Sequence, residues 1–156
     1  MDSKGIAGFS FKKSIQPVPI LLGGMKKIID IAAGGNHALA ISKKFIYSWG
    51  CGEQGQLARD VLPRHPLLLL NPSAVQFEKG LCFEKVACGS YHSMATTHNG
   101  QVYCWGLNNY AQLGHLGLEE EQSIYFPTLL DFFNNENIKI KEIKGGEHHS
   151  VTEILF

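Results

Sequence analysis

Short apolar runs, separated by glycine-rich and polar turns, set the pattern of this chain. Ile28 to Ala32 is nearly continuous in apolar residues, which predicts a strand buried on both faces. Ala33-Gly34-Gly35-Asn36-His37 interrupts it, and Ala38 to Ile41 predicts a second strand. Lys43-Lys44 predicts a tight turn, and Phe45 to Trp49 a third strand. The same order returns downstream as Phe83 to Ala87, the turn Cys88-Gly89-Ser90-Tyr91-His92, and an alternating run into Trp105-Gly106. That run turns at His98-Asn99-Gly100, and Asn-Gly between two strand-like stretches is a strong hairpin signal. A third copy opens at Ile138 to Ile143, passes Gly145-Gly146-Glu147-His148-His149 and runs on from Ser150 to Leu155, where no Trp-Gly follows.

The spacing turns this pattern into an architecture. His92 lies 55 residues after His37, and His149 lies 57 residues after His92. Trp49-Gly50 and Trp105-Gly106 are each followed by a Gln-Leu, at Gln56-Leu57 and Gln112-Leu113. A period of this length marks a repeat protein. Short strands, tight glycine turns and the lack of any long helical pattern make the expected fold all-β, a partial β-propeller of antiparallel four-stranded blades. The approximate repeat units are 1–57, 58–114 and 115–156, the last incomplete. Such units bury their faces against neighbours, so about three of them read as part of a longer ring. Gly34, His37, Trp49, Gly50, Gly89, His92, Trp105, Gly106, Gly146 and His149 are the structural repeat positions. The histidines are expected to be held by backbone partners within their own turns. Residues 58–74 and 115–126 read as loops between units, leading to outer strands near Ala74 to Phe77 and Pro127 to Leu130. Residues 1–16 read as a loop or a small hairpin turning near Lys4-Gly5, and Pro17 to Leu22 as an edge strand, where proline is tolerated.

Composition narrows the chemistry. The chain has 156 residues, 44% of them hydrophobic, with 14 basic and 14 acidic side chains. That balance argues against a nucleic-acid surface spread over the whole chain and leaves room for a local patch. The start carries no apolar segment of signal-peptide length, and the longest aliphatic run, Leu67 to Leu70, is far too short to span a bilayer. Cys51, Cys82, Cys88 and Cys104 show no close-pair spacing and are expected to be reduced. Gly50-Cys51-Gly52-Glu53-Gln54-Gly55 matches a dinucleotide fingerprint formally, but Pro63 forbids the helix that must follow it. No Cys-x-x-Cys or His-x-x-x-His pair supports a metal, no serine sits in a nucleophile elbow, and no cofactor is expected. Glu119-Glu120-Glu121 and the pairs Lys12-Lys13, Lys26-Lys27 and Lys43-Lys44 read as solvated surface. The lysine pairs are also candidates for a phosphate-contacting patch.

Four stretches resemble the regulator of chromosome condensation family. They are Gly50 to Leu57, Gly106 to Gly114, Gly145 to His149, and Asp2 to Lys13 followed by Ser14-Ile15-Gln16-Pro17-Val18. The resemblance implies a seven-bladed propeller, of which this chain supplies about three blades. It also implies guanine-nucleotide exchange on the GTPase Ran, with no bond-making chemistry: one propeller face presses on the GTPase and loosens its nucleotide. On that reading the contact residues stand just before each repeat's histidine, at Asn36, Tyr91 and His148. Asp2, Lys4 and Gly5 resemble part of a projecting hairpin that adds to the contact. The family carries an aspartate where Asn36 stands; the amide keeps the shape and loses the charge. Implied partners are Ran, and histones or chromatin through parts outside this chain, with no membrane; the implied location is the nucleus. Two alternatives stay open: a non-catalytic interaction module, or an inactive truncated fragment.

Overall fold

The computed structural model describes residues 21–59, 68–115, 122–135 and 138–155. The first antiparallel sheet is built from β1 (Asp30–Ala33), β2 (His37–Ile41), β3 (Ile46–Cys51) and β4 (Leu68–Ala74), hydrogen-bonded in that order. The second repeats it with β5 (Phe83–Cys88), β6 (His92–Thr97), β7 (Val102–Leu107) and β8 (Ser123–Leu129). A five-residue helix, α1 (Asp131–Asn135), leads to the paired strands β9 (Lys139–Gly145) and β10 (Ser150–Leu155). These are propeller blades, two of four strands and one of two among the described residues.

The registers show why the sequence repeats as it does. His37 pairs with Gly50 and His92 with Gly106, so each anchoring histidine lies beside the glycine of the Trp-Gly element. At the far end of the hairpin, the Ser42 amide donates to the Phe45 carbonyl at 2.8 Å, leaving Lys43-Lys44 as the turn. In the second blade Gly100 takes the left-handed conformation, with φ of 82°. Asn-Gly is suited to that conformation because glycine has no Cβ to clash there.

Several expected elements shift. The outer strands come earlier than expected: β4 ends at Ala74 and β8 begins at Ser123. Both contain a proline, Pro72 and Pro127, and both are edge strands, where a missing amide costs no ladder hydrogen bond. The first strand is not buried on both faces. Ile31 is 72% exposed, because among the described residues no sheet packs against that side of β1. The candidate contacts Asp2, Lys4 and Gly5, the small hairpin near Lys4-Gly5 and most of the strand expected at Pro17 to Leu22 fall outside the described residues, as do Lys12-Lys13 and Glu119 to Glu121; Leu21 and Leu22 are not in a strand.

Blade faces supply the core. One cluster joins Leu39, Ile41 and Ile46 of the first blade to Phe83, Val86, Tyr103 and Trp105 of the second. Phe77, from the link between them, meets the rings of Phe83, Tyr103 and Trp105 edge-on at 4.7, 5.5 and 5.9 Å. A second cluster joins Met94, Cys104, Leu113 and Leu130 to Ile143 of β9. Burying each such large side chain contributes roughly 1.5–3 kcal/mol, so blade contact stabilises each unit.

Candidate functional site

Each Gly-x-x-His turn closes on itself in the same way. The amides of Gly34, Gly89 and Gly146 donate to the carbonyls of His37, His92 and His149 at 2.9, 2.9 and 2.8 Å. The turns are then tied to one another. Gly35 N–H donates to the Ser90 carbonyl and Ser90 N–H to the Gly146 carbonyl, both at 3.2 Å. Asn36, Tyr91 and His148 therefore stand on one continuous row of turns at one end of the strands. Asn36 and Tyr91 are half-buried; His148 is exposed.

The Trp-Gly elements buttress this row. The carbonyls of Asn36 and Tyr91 accept from Cys51 N–H and Leu107 N–H at 2.7 and 2.9 Å. Gly50 and Gly106 have φ of 106° and 105°. A Cβ at either would sit 2.6 Å from the Asn36 or Tyr91 carbonyl oxygen. Only glycine allows both the backbone angle and the approach.

Behind the row lies a polar relay that crosses blades. His37 Nε2 is 2.9 Å from Ser93 Oγ, and Ser93 Oγ donates to the Gln56 carbonyl at 2.8 Å. The serine's one proton is committed to Gln56, so His37 must donate from Nε2. The Trp105 indole N–H reaches the same Gln56 carbonyl at 2.9 Å. One blade later the relay repeats: His92 Nε2 is 3.1 Å from Ser150 Oγ, which donates to the Gln112 carbonyl at 2.7 Å. The histidines thus find their ring partners on a neighbouring blade's serine, not on the backbone of their own turn as expected. Both rings are buried, and Nδ1 of each has no hydrogen-bond partner among the described residues. Burial first, and then the neighbouring histidines, lower both pKa values to about 4. These rings are neutral scaffold at physiological pH.

Tyr110 was not singled out by its sequence, yet it joins the row. Its ring lies 4.7 Å from that of His148, tilted by 52°, and Tyr110 is 66% exposed. Counting from Trp-Gly, Tyr110 occupies the position that Gln54 holds one repeat earlier. Gln54 also reaches forward, accepting from Ser123 Oγ at 3.2 Å. The signal was present in the aligned repeats: a position that is polar at Gln54 becomes aromatic at Tyr110. The side chains of Gln56 and Gln112 hold these loops by accepting from the amides of Gln54 and Tyr110 at 2.8 and 2.9 Å.

No group of three His, Cys, Asp or Glu side chains among the described residues is placed to hold a metal. Cys51, Cys88 and Cys104 are buried free thiols and Cys82 is exposed; burial pushes Cys104 up to about 12 and Cys88 up as well. No helix among the described residues is long and apolar enough to cross a membrane. The formal dinucleotide fingerprint at Gly50 to Gly55 runs into turns, with no helix after it among the described residues up to Arg59.

Repeated blades, inter-blade turns and a row of chemically different side chains at one end of the strands define a propeller-repeat protein. The regulator of chromosome condensation (RCC1) repeat matches residues 45–96 and 99–152, and the chain belongs to that family. It is 36% identical to protein pim1 of Schizosaccharomyces pombe over 154 residues, covering 96% of this chain and 27% of pim1. It is 33% identical over 155 residues to the guanine nucleotide exchange factor SRM1 of Saccharomyces cerevisiae, covering 31% of that protein. The solved structure of Prp20p from the same yeast, described with its binding to Gsp1p and histones, superposes with a TM-score of 0.69 at 26% identity. That match covers 83% of this chain and 31% of Prp20p. The chain spans about a third or less of the length of these relatives.

Proposed function

We propose that the row formed by Asn36, Tyr91, Tyr110 and His148 is the GTPase-facing surface of a Ran guanine-nucleotide exchange factor that works on chromatin in the nucleus. The observation that carries this reading is the backbone tie from Gly35 to Ser90 and from Ser90 to Gly146, which sets three chemically different side chains in one rigid row. The likeness to a protein named as an exchange factor supports it. Exchange on this reading needs no bond-making. Whatever factor favours the nucleotide-free GTPase on this surface must weaken nucleotide binding by the same factor.

The first test is binding of the chain to Ran stripped of nucleotide, compared with Ran loaded with GDP. The expected result is at least ten-fold preference for the stripped form, and loss of that preference in Tyr91→Ala and His148→Ala. Equal affinity for the two forms overturns the reading.

A second reading, a non-catalytic interaction module, is favoured by one residue. Asn36 brings no negative charge to a row where the family resemblance implies aspartate. On this reading the chain binds a partner without shifting its nucleotide, and Asn36→Asp leaves release unchanged.

A further inference from the structure

The opposite end of the strands carries a second surface that the GTPase reading does not use. The lead into β1 and the turn between β2 and β3 bring together two lysine pairs that are separate in sequence, Lys26-Lys27 and Lys43-Lys44. All four lysines line one groove of about 690 Å³, whose apolar lining is Ile29, Phe45 and Tyr47. No acidic residue lines it, and none of the four lysines is in an ion pair among the described residues. The groove is fixed by backbone structure. The Ser42 hydroxyl accepts from Phe45 N–H at 3.0 Å, Phe83 N–H is held by the Lys43 carbonyl at 3.0 Å, and Ile29 N–H is held by the Ile41 carbonyl at 2.8 Å. Lys27 adopts a left-handed backbone with φ of 51°, a conformation that disfavours a side-chain-bearing residue. Phe45 is half exposed although it lies beside Tyr47, with ring centroids 6.3 Å apart.

The groove continues. A second hollow of about 590 Å³ shares Lys44 and Phe45 with the first and runs along residues 74–83, past Val75, Phe77 and Leu81. The two together form a track with Phe45 at its middle. One half is cationic over an apolar floor; the other is apolar and carries Glu78 as well as Lys79. A nucleic-acid strand would bring phosphate along the whole track and meet Glu78. A linear peptide can match each half separately.

We propose that this track binds an extended acidic peptide: carboxylates against Lys26, Lys27, Lys43 and Lys44, and a large apolar side chain seated on Phe45 and Ile29. Unpaired cations around an apolar floor favour such a ligand, because the anchor removes apolar area from water while the carboxylates stay at the wet rim.

The test uses the whole chain and three fluorescein-labelled probes of equal charge at low salt. One is an eight-residue peptide with Asp/Glu at its first four positions, a single phenylalanine at the fifth and serines after it, the second has serine in place of the phenylalanine, and the third is an oligothymidylate. The expected result is that the phenylalanine peptide binds at least ten-fold more tightly than both others and weakens as salt rises. Lys43→Glu with Lys44→Glu should remove binding at least ten-fold, as should Lys26→Glu with Lys27→Glu. Phe45→Ser should bring the first peptide down to the level of the second. All these sites are exposed, and an unchanged far-ultraviolet dichroism spectrum shows that each variant keeps its sheets. Equal binding of the two peptides, tighter binding of the oligothymidylate, no binding of any probe, or binding that survives both charge reversals overturns the proposal.

Discussion

His37 of the first blade donates from Nε2 to Ser93 Oγ of the second at 2.9 Å, so the residue that closes one unit's turn is anchored by its neighbour. Ser93 follows His92 directly, and Ser150 stands at the same place after His149. The relay therefore depends on blade order: each histidine reads the serine of the blade that comes next. At the head of the series the corresponding position is Ala38.

Breaking the relay should cost more than one ordinary hydrogen bond. Ser93→Ala leaves the buried His37 Nε2–H without its acceptor and removes one donor from the Gln56 carbonyl. A buried polar group left unsatisfied costs about 1–3 kcal/mol. The expected result in urea unfolding is a lowered midpoint for Ser93→Ala and for His37→Ala. The double variant should lose at least about 0.5 kcal/mol less than the two single losses combined, the mark of residues in one network. Strict additivity would show that the two side chains do not act together.

The same histidines make the fold sensitive to acid. Both pKa values are held near 4 in the folded chain, below the ordinary value of 6.5. The unfolded chain therefore takes up protons first as pH falls. Stability from this source is complete above pH 6.5 and is lost as pH falls from 6.5 towards 4. Urea midpoints measured from pH 8 to pH 5 should fall, and His37→Gln should show a shallower fall than the parent chain. An identical pH profile in the two would contradict the assignment.

Two glycines with left-handed backbones should behave differently. Gly50 has φ of 106° and no room for a Cβ beside Asn36 and His37, whereas Gly80 has φ of 96° and nothing within 4 Å. Gly80→Ala carries backbone strain alone, about 1 kcal/mol. Gly50→Ala adds a clash with two backbone segments and should cost at least about 2 kcal/mol, with part of the loss in displacement of Asn36. Thermal unfolding of the pair provides the comparison, and equal losses would show that the turn yields freely.

The fold was legible because its signals are local and repeated. Gly-Gly-Asn-His, Asn99-Gly100 and Trp105-Gly106 each specify a turn or a close approach by what the backbone can do, and the period multiplies each signal. The outer strands were misplaced for the opposite reason. In β4 and β8 the signal is proline beside short apolar runs, which looks like loop until the sheet edge excuses Pro72 and Pro127. The relay was hidden because its members, His37, Gln56 and Ser93, come together only when blades stack. Of the candidate site, the positions before each histidine could be read from the sequence alone. Tyr110 was marked in the sequence only by standing where Gln54 stands one repeat earlier, and its contact with His148 shows only in the fold.

Tyr110 also separates a surface role from a structural one. Its ring is exposed, touches His148 and is a member of neither buried cluster. Tyr110→Ala should leave the unfolding midpoint within about 0.5 kcal/mol of the parent, as expected for an exposed site. It should weaken binding of nucleotide-free Ran by a factor of about 10, comparable with His148→Ala. Loss of stability without loss of binding would place Tyr110 in the scaffold.

Release of a fluorescent guanine nucleotide from Ran, followed as the chain is added, tests the central claim most directly. Release should accelerate in proportion to added chain, Tyr91→Ala and His148→Ala should each slow it at least ten-fold, and Asn36→Asp should raise it. A folded chain that leaves the release rate unchanged, with or without Asn36→Asp, would contradict that claim.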